Sequence, residues 1–131
     1  MSYLLDTDVI IDFLRQNKEA VEKIAALNDV CKLNTTIINL CELYEGVYLS
    51  NQQSEQLRVL FNFMSSVDIL TPDLDTALTF GLTKTMLKKK GKIIGDFDTL
   101  IASIAMTNNL ILVTRNKKHY ENIDGLKIES V

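Results

Sequence analysis

Short apolar runs alternate with longer amphipathic stretches along the chain. Tyr3-Leu4-Leu5 predicts a brief buried strand, and Val9, Ile10, Phe13 and Leu14 recur at helical spacing from about Thr7. A second helix is expected over Glu19 to Leu27, with Ala20, Val21, Ile24 and Leu27 inward, and Asn28-Asp29 marks a turn. Leu33 to Ile38, rich in Thr and Ile, predicts a strand running into a helix that carries Leu40, Leu43, Tyr44 and Val47. Leu57, Leu60, Phe61 and Met64 predict a helix over Ser54 to Met64, followed by a strand over Val67 to Leu70. Pro72 suits the first turn of a helix reaching about Lys90, where Gly91 is the expected stop. A helix from Asp98 to about Asn108, a strand over Leu110 to Thr114, a short helix over Asn116 to Tyr120 and a strand over Leu126 to Val131 complete the pattern.

Strands alternating with helices, each strand apolar enough to be covered on both faces, imply a three-layer α/β/α fold around a mostly parallel sheet. A length of 131 residues suits one domain, 1–131, and no linker or repeat divides it. No stretch approaches the roughly 20 apolar residues that span a bilayer, and Asp6 and Asp8 interrupt the N-terminal apolar run, so neither a membrane anchor nor a secretory signal is expected. Cys31 and Cys41 read as reduced thiols of a cytoplasmic protein. The net charge of -3 gives no broad basic footprint, but positive charge clusters at Lys84, Lys88, Lys89, Lys90 and Lys92, and again at Arg115, Lys117, Lys118 and His119.

The candidate chemistry lies in three acids set in apolar surroundings: Asp6 after the first strand, Glu42 within a helical stripe of Ile38, Gly46 and Leu49, and Asp98, with Asp96 just before it, at the start of a helix. Carboxylates about 5 Å apart repel by roughly 3 kcal/mol at an effective dielectric near 20. A divalent cation is the simplest compensation, so convergence of these acids would build a pocket for Mg²⁺ or Mn²⁺. Each also has a plainer reading: Asp6 and Asp98 as helix caps, Glu42 as the partner of a lysine. Asp8 and Asp12, one helical turn apart, are expected to be solvated or to support the site from outside. Thr114 is placed to orient a carboxylate or water, and Asn116 to cap the helix after it. His119, the only histidine, falls in a polar surface segment and is expected to be solvated. The Lys88-Lys89-Lys90 run reads first as a solvated helix end and second as a phosphate contact.

Four stretches together carry a family resemblance. They are Leu5-Asp6-Thr7-Asp8-Val9-Ile10-Ile11, Ile38-Asn39-Leu40-Cys41-Glu42-Leu43-Tyr44-Glu45-Gly46, the run from Ile93 to Ala105 that includes Asp96 and Asp98, and Leu110-Ile111-Leu112-Val113-Thr114-Arg115-Asn116. In order and spacing the chain resembles PIN-domain endoribonucleases, most closely VapC-type toxins of type II toxin–antitoxin pairs. The resemblance implies Mg²⁺- or Mn²⁺-dependent cleavage of RNA, with Asp6, Glu42 and Asp98 as catalytic and metal-holding acids and Asp96 as an additional one. It implies Thr7, Thr114 and Asn116 as supporting groups, Asn116 standing where the family often carries a fourth acid, which puts a second metal in doubt. Arg115, Lys88, Lys89, Lys90 and Lys92 are the expected RNA contacts. The implied partners are an RNA substrate and a small antitoxin whose C-terminal segment reaches the acidic groove, in a homodimer or a toxin–antitoxin hetero-oligomer. Tyr44, Tyr48, Leu49 and the Leu57 to Met64 helix are the candidate interface positions, or alternatively core. Two rival readings remain open: a haloacid-dehalogenase-type phosphatase with Asp6 as nucleophile and Asp8 as general acid, and a non-enzymatic α/β binding module.

Overall fold

Leu4 and Leu5 explain the layering of the molecule. Successive strand residues face opposite sides of a sheet, and both are fully buried, so both sides need a cover. The computed structural model describes residues 2–131. It contains β1 (Ser2–Leu5), α1 (Thr7–Leu14), α2 (Lys18–Asn28), β2 (Leu33–Thr36), α3 (Ile37–Leu49), α4 (Gln53–Met64), β3 (Asp68–Leu70), α5 (Leu74–Lys90), α6 (Asp96–Thr107), β4 (Leu110–Thr114), α7 (Lys117–Tyr120) and β5 (Lys127–Ser130). Leu5, Leu33 and Val113 pack with α1 to α4 on one face; Leu4, Leu110 and Leu112 pack with α5 to α7 on the other. Each of these fully buried side chains contributes about 2 kcal/mol of apolar burial.

The sheet order is β3-β2-β1-β4-β5, and all four pairings are parallel. The chain winds outward from β1 through β2 to β3, then returns to place β4 on the other side of β1. The winding therefore reverses between β1 and β4, and a crevice opens beyond their carboxyl ends. Asp6 follows β1 there, and Thr114 ends β4.

Several boundaries differ from expectation for local reasons. The strand predicted to Ile38 stops at Thr36, because Thr36 and Asn39 close a reciprocal cap that turns the β-branched run into a helix. Pro72 precedes α5 rather than entering it; Asp73 is the cap and accepts the Thr76 backbone N–H at 2.9 Å. The Asp98 helix starts two residues early, at Asp96, with Gly95 as its cap. Gly91 ends α5 as expected, in a left-handed conformation (φ 68°) that disfavours a side chain. The inward stripe expected for α3 does not hold: Ile38 is buried, Glu42 lies at a cleft and Leu49 is exposed. Tyr44, Leu57 and Met64 pack on the core, whereas Tyr48 and Phe61 are exposed.

Candidate active site

The crevice beyond β1 and β4 is a cleft of about 220 Å³ lined by Asp6, Thr7, Asp8, Ile11, Glu42, Asp98, Asn116, His119 and Tyr120. Four carboxylates thus face one small volume. Among the described residues, no Lys or Arg forms an ion pair with Asp6, Asp8 or Glu42.

Asp6 is 6% exposed and caps α1. Its Oδ1 accepts the Thr7 backbone N–H at 2.9 Å and the Asn39 amide at 3.4 Å. Its Oδ2 accepts the Thr114 hydroxyl at 2.9 Å. Burial, then the neighbouring Asp8, push its pKa up to about 6, and the bonds from Thr114 and Thr7 offset only part of this. The capping reading of Asp6 was therefore correct but incomplete. An N-cap needs no such burial or acid neighbours.

Asp6 and Glu42 are joined through Thr7 and Asn39. The Thr7 hydroxyl donates to Glu42 Oε1 at 2.6 Å and accepts the Asn39 amide at 2.9 Å. Asn39 Oδ1 in turn accepts the Thr36 backbone N–H at 3.2 Å and the Thr36 hydroxyl at 2.7 Å. The same buried Asn thus starts α3 and aligns two acids 36 residues apart in sequence (6 and 42). Burial raises the Glu42 pKa, and the Thr7 hydrogen bond opposes this. Among the described residues, no lysine pairs with Glu42. Thr114, fully buried, also accepts the Asn116 N–H at 3.1 Å.

Asp98 is held from α7: the Tyr120 hydroxyl donates to Oδ1 at 3.1 Å, and His119 Nε2 lies 2.6 Å from Oδ2. Burial, then the charges of Asp6 and Asp98, push the Tyr120 hydroxyl far above its ordinary pKa, so it stays a donor.

Expected site residues divide as follows. Asp6, Glu42, Asp98, Thr7 and Asn116 line the cleft, and Thr114 bonds Asp6 beneath it. Asn116 stands at the cap position of α7 but makes no side-chain capping bond. Asp96 does not join them: its side chain is 76% exposed and pairs with Lys84 at 2.8 Å, which holds its pKa below the ordinary range. Residues two apart on a helix point about 200° apart, so only one of Asp96 and Asp98 can face the cleft. Arg115 spends its guanidinium on Asp12 and gives its backbone N–H to Asp8 at 3.4 Å. Lys90 pairs with Asp124, while Lys88, Lys89 and Lys92 are exposed.

Three residues at the cleft escaped the sequence reading, Asn39, His119 and Tyr120, and Asp8 lies nearer than a supporting group. Asp8 lines the cleft half-buried, and burial raises its pKa. His119 is not simply solvated; it faces Asp98. The only available signal was its position five residues after Thr114.

The match to known proteins decides the family. A family model described as "PIN domain" matches residues 3–126. The chain belongs to the PIN-domain family. A "tRNA(fMet)-specific endonuclease VapC" of Shigella flexneri is 30% identical over 98% of this chain and 97% of its own length. A "Ribonuclease VapC2" of Haemophilus influenzae is 31% identical over 99% and 98%. A chain in the crystal structure of VapBC2 from Rickettsia felis bound to a promoter DNA fragment superposes with a TM-score of 0.94 at 30% identity, covering 100% of this chain and 99% of that one. PIN-domain ribonucleases are generally divalent-metal dependent. The phosphatase reading falls with this membership, and no lysine lines the cleft to serve it.

The cleft fits a hard cation by its donors. All four acids offer oxygen, the donor that Mg²⁺ and Mn²⁺ prefer, and burial beside Asp8 makes the Asp6 carboxylate costly to ionise, a cost that a bound cation would offset. Among the described residues, no three acid or imidazole side chains are yet gathered tightly around one point. The carboxylates line a shared cleft rather than a finished cage.

Proposed function

We propose that this PIN-domain chain is a metal-dependent endoribonuclease of the VapC type, restrained by a cognate antitoxin. The observation that carries the reading is the cleft of Asp6, Asp8, Glu42 and Asp98, with no Lys or Arg among the described residues paired to the first three. Asp6 and Asp98 would hold Mg²⁺ or Mn²⁺, with Asp8 beside them and Glu42 turned to the attacking water. The ion supplies Lewis acidity toward a phosphodiester oxygen and offsets the charge of RNA approaching four carboxylates.

The chain's own groups do the rest. Thr114 and the Thr7 backbone N–H aim the Asp6 carboxylate from opposite sides. Thr7 holds Glu42 by one oxygen, leaving the other to accept a proton from attacking water. In-line attack on phosphorus forms the new P–O bond as the P–O3′ bond breaks, and the leaving 3′ oxygen takes a proton from solvent, which yields a 5′-phosphate and a 3′-hydroxyl. With a single histidine, the chain has no imidazole pair for cleavage through the 2′-hydroxyl. Lys88, Lys89 and Lys92 remain available to the phosphate backbone. Asp96, ion-paired to Lys84 outside the cleft, is left out of this ligand set. RNA cleavage is expected with Mg²⁺ or Mn²⁺ and none in excess EDTA; undiminished cleavage in EDTA would overturn the reading.

An apolar groove of about 250 Å³ between α1, α3 and α4 shares Ile11 and Glu42 with the cleft. Its walls include Leu14, Leu43, Val47, Val59 and Leu60. An antitoxin segment with an apolar face and a basic side chain beyond it would fill both at once, covering the groove and neutralising the acids.

Self-association is assigned to α5. Only Thr76, Thr83 and Leu87 of its 17 residues are buried. Leu74, Leu78 and Leu82 lie outward at i, i+4 and i+8, 89%, 65% and 64% exposed. Asp73 and Asp75 flank one end of this ridge and Lys88 to Lys90 the other, so a second copy packed antiparallel sets opposite charges together. A dimer is expected by size-exclusion with light scattering, and Leu78→Glu with Leu82→Glu is expected to give a folded monomer whose melting temperature no longer rises with protein concentration. A monomeric wild type would refute this assignment of α5.

A further inference from the structure

The geometry points to His119, with its neighbour Tyr120, as a positioning pair that holds the Asp98 carboxylate for cation binding without itself ligating. This rests on the metal-site reading above. Asp98 differs from the other cleft acids in how it is held. Asp6 and Glu42 are aligned by Thr7 at the start of α1, Asn39 in the first turn of α3 and Thr114 at the end of β4. Asp98 receives nothing from that network. Both of its side-chain bonds come from two consecutive residues of a four-residue helix.

Those two residues are built for the purpose in different ways. Tyr120 is 1% exposed and packs in the second core, so its hydroxyl is delivered to Oδ1 from a fixed ring. His119 sits edge-on to that ring, with centroids 5.3 Å apart. Its Nε2 faces a carboxylate, an acceptor, which places the proton on Nε2. One donor on each oxygen fixes the plane of the carboxylate. A carboxylate has about four acceptor positions, so two remain for a cation. Hydrogen bonds of this outer kind typically set metal affinity by roughly 10- to 100-fold.

Mn²⁺ titration of the metal-free full chain by calorimetry tests this, alongside the Mn²⁺ concentration that gives half-maximal RNA cleavage. His119→Ala is expected to weaken Mn²⁺ binding roughly 10- to 100-fold and to raise that half-maximal concentration by the same factor. His119→Gln, which keeps an N–H near the Nε2 position, is expected to restore affinity to within a few-fold. Tyr120→Phe, which keeps the ring, is expected to weaken binding in the same direction. Melts in EDTA check that each variant is folded. Unchanged affinity in His119→Ala, failure of His119→Gln to restore it, or directly coordinated nitrogen in the electron spin-echo spectrum of bound Mn²⁺ would each overturn the positioning role. A wild type that cleaves RNA yet binds no Mn²⁺ would instead overturn the metal-site reading, and this inference with it.

Discussion

Asp6→Asn is expected to abolish RNA cleavage, by at least about 100-fold, and at the same time to raise the melting temperature of the metal-free protein. The activity loss follows from removing the most buried acid of the cleft, where charge stabilisation is worth several kcal/mol. The stability gain follows from the same burial. Asp6 has its pKa raised from 3.8 to about 6. A carboxyl whose pKa is higher in the folded chain than in the unfolded one favours folding only while protonated. Its ionisation costs stability as pH rises from about 4 to about 6. At roughly 1.4 kcal/mol per pKa unit, the full cost is about 3 kcal/mol above that window. An amide carries no charge to desolvate and keeps an acceptor for the Thr7 N–H. It loses the charged bond to Thr114, so a net gain of about 1–2 kcal/mol, or roughly 5 °C, remains. Melting in EDTA at pH 7.5 and at pH 4 checks this: the variant should lead at the higher pH, and its lead should vanish at the lower. Mn²⁺ should then raise the melting temperature of the wild type and not of the variant. A variant that melts below wild type at both pH values would refute the account of Asp6 as an uncompensated charge.

Asn39→Ala is expected to destabilise the fold by about 3 kcal/mol, lowering the melting temperature by roughly 10 °C, and to impair cleavage as well. Asn39 is completely buried. Its amide donates to Thr7 and Asp6, and its oxygen accepts from the Thr36 N–H and hydroxyl. Truncation strands the Thr36 N–H in the interior, and an unpaired buried donor costs about 1–3 kcal/mol. It also opens a small cavity and dissolves the reciprocal cap at the start of α3. Glu42 lies one turn further along that helix, and Thr7 loses the donor that orients its hydroxyl. Chemical denaturation gives the stability change directly. A loss under about 1 kcal/mol would mean that this network is not what starts α3.

The acids were legible because they break local patterns. Asp6 ends an apolar strand, Glu42 interrupts a helix of mostly apolar residues, and Asp98 precedes Leu-Ile-Ala. Thr114 was legible from its place at a strand end. Asp96 could not be told from Asp98 in sequence, because two acids two residues apart cannot be sorted until the start of α6 is known, and Gly95 sets that start. Asp8 and Asp12, read alike as solvated or supporting, part company in the fold: Arg115 takes Asp12, and Asp8 turns to the cleft. His119 and Tyr120 sit in a four-residue helix, too short for periodicity to indicate a face.

Local pattern by itself determined the alternation of strands and helices, the parallel sheet it requires, and three acids out of place. Those features follow from apolar periodicity and from the cost of burying charge, and both are written in neighbouring residues. Only the tertiary structure decided which acids share a cleft, that Asn39 and Thr7 join Asp6 to Glu42, and that α7 supplies the grip on Asp98. These depend on contacts between residues about 20 to 100 positions apart. Where such residues meet is set by the reversal of winding between β1 and β4, not by any local preference of the residues that meet there.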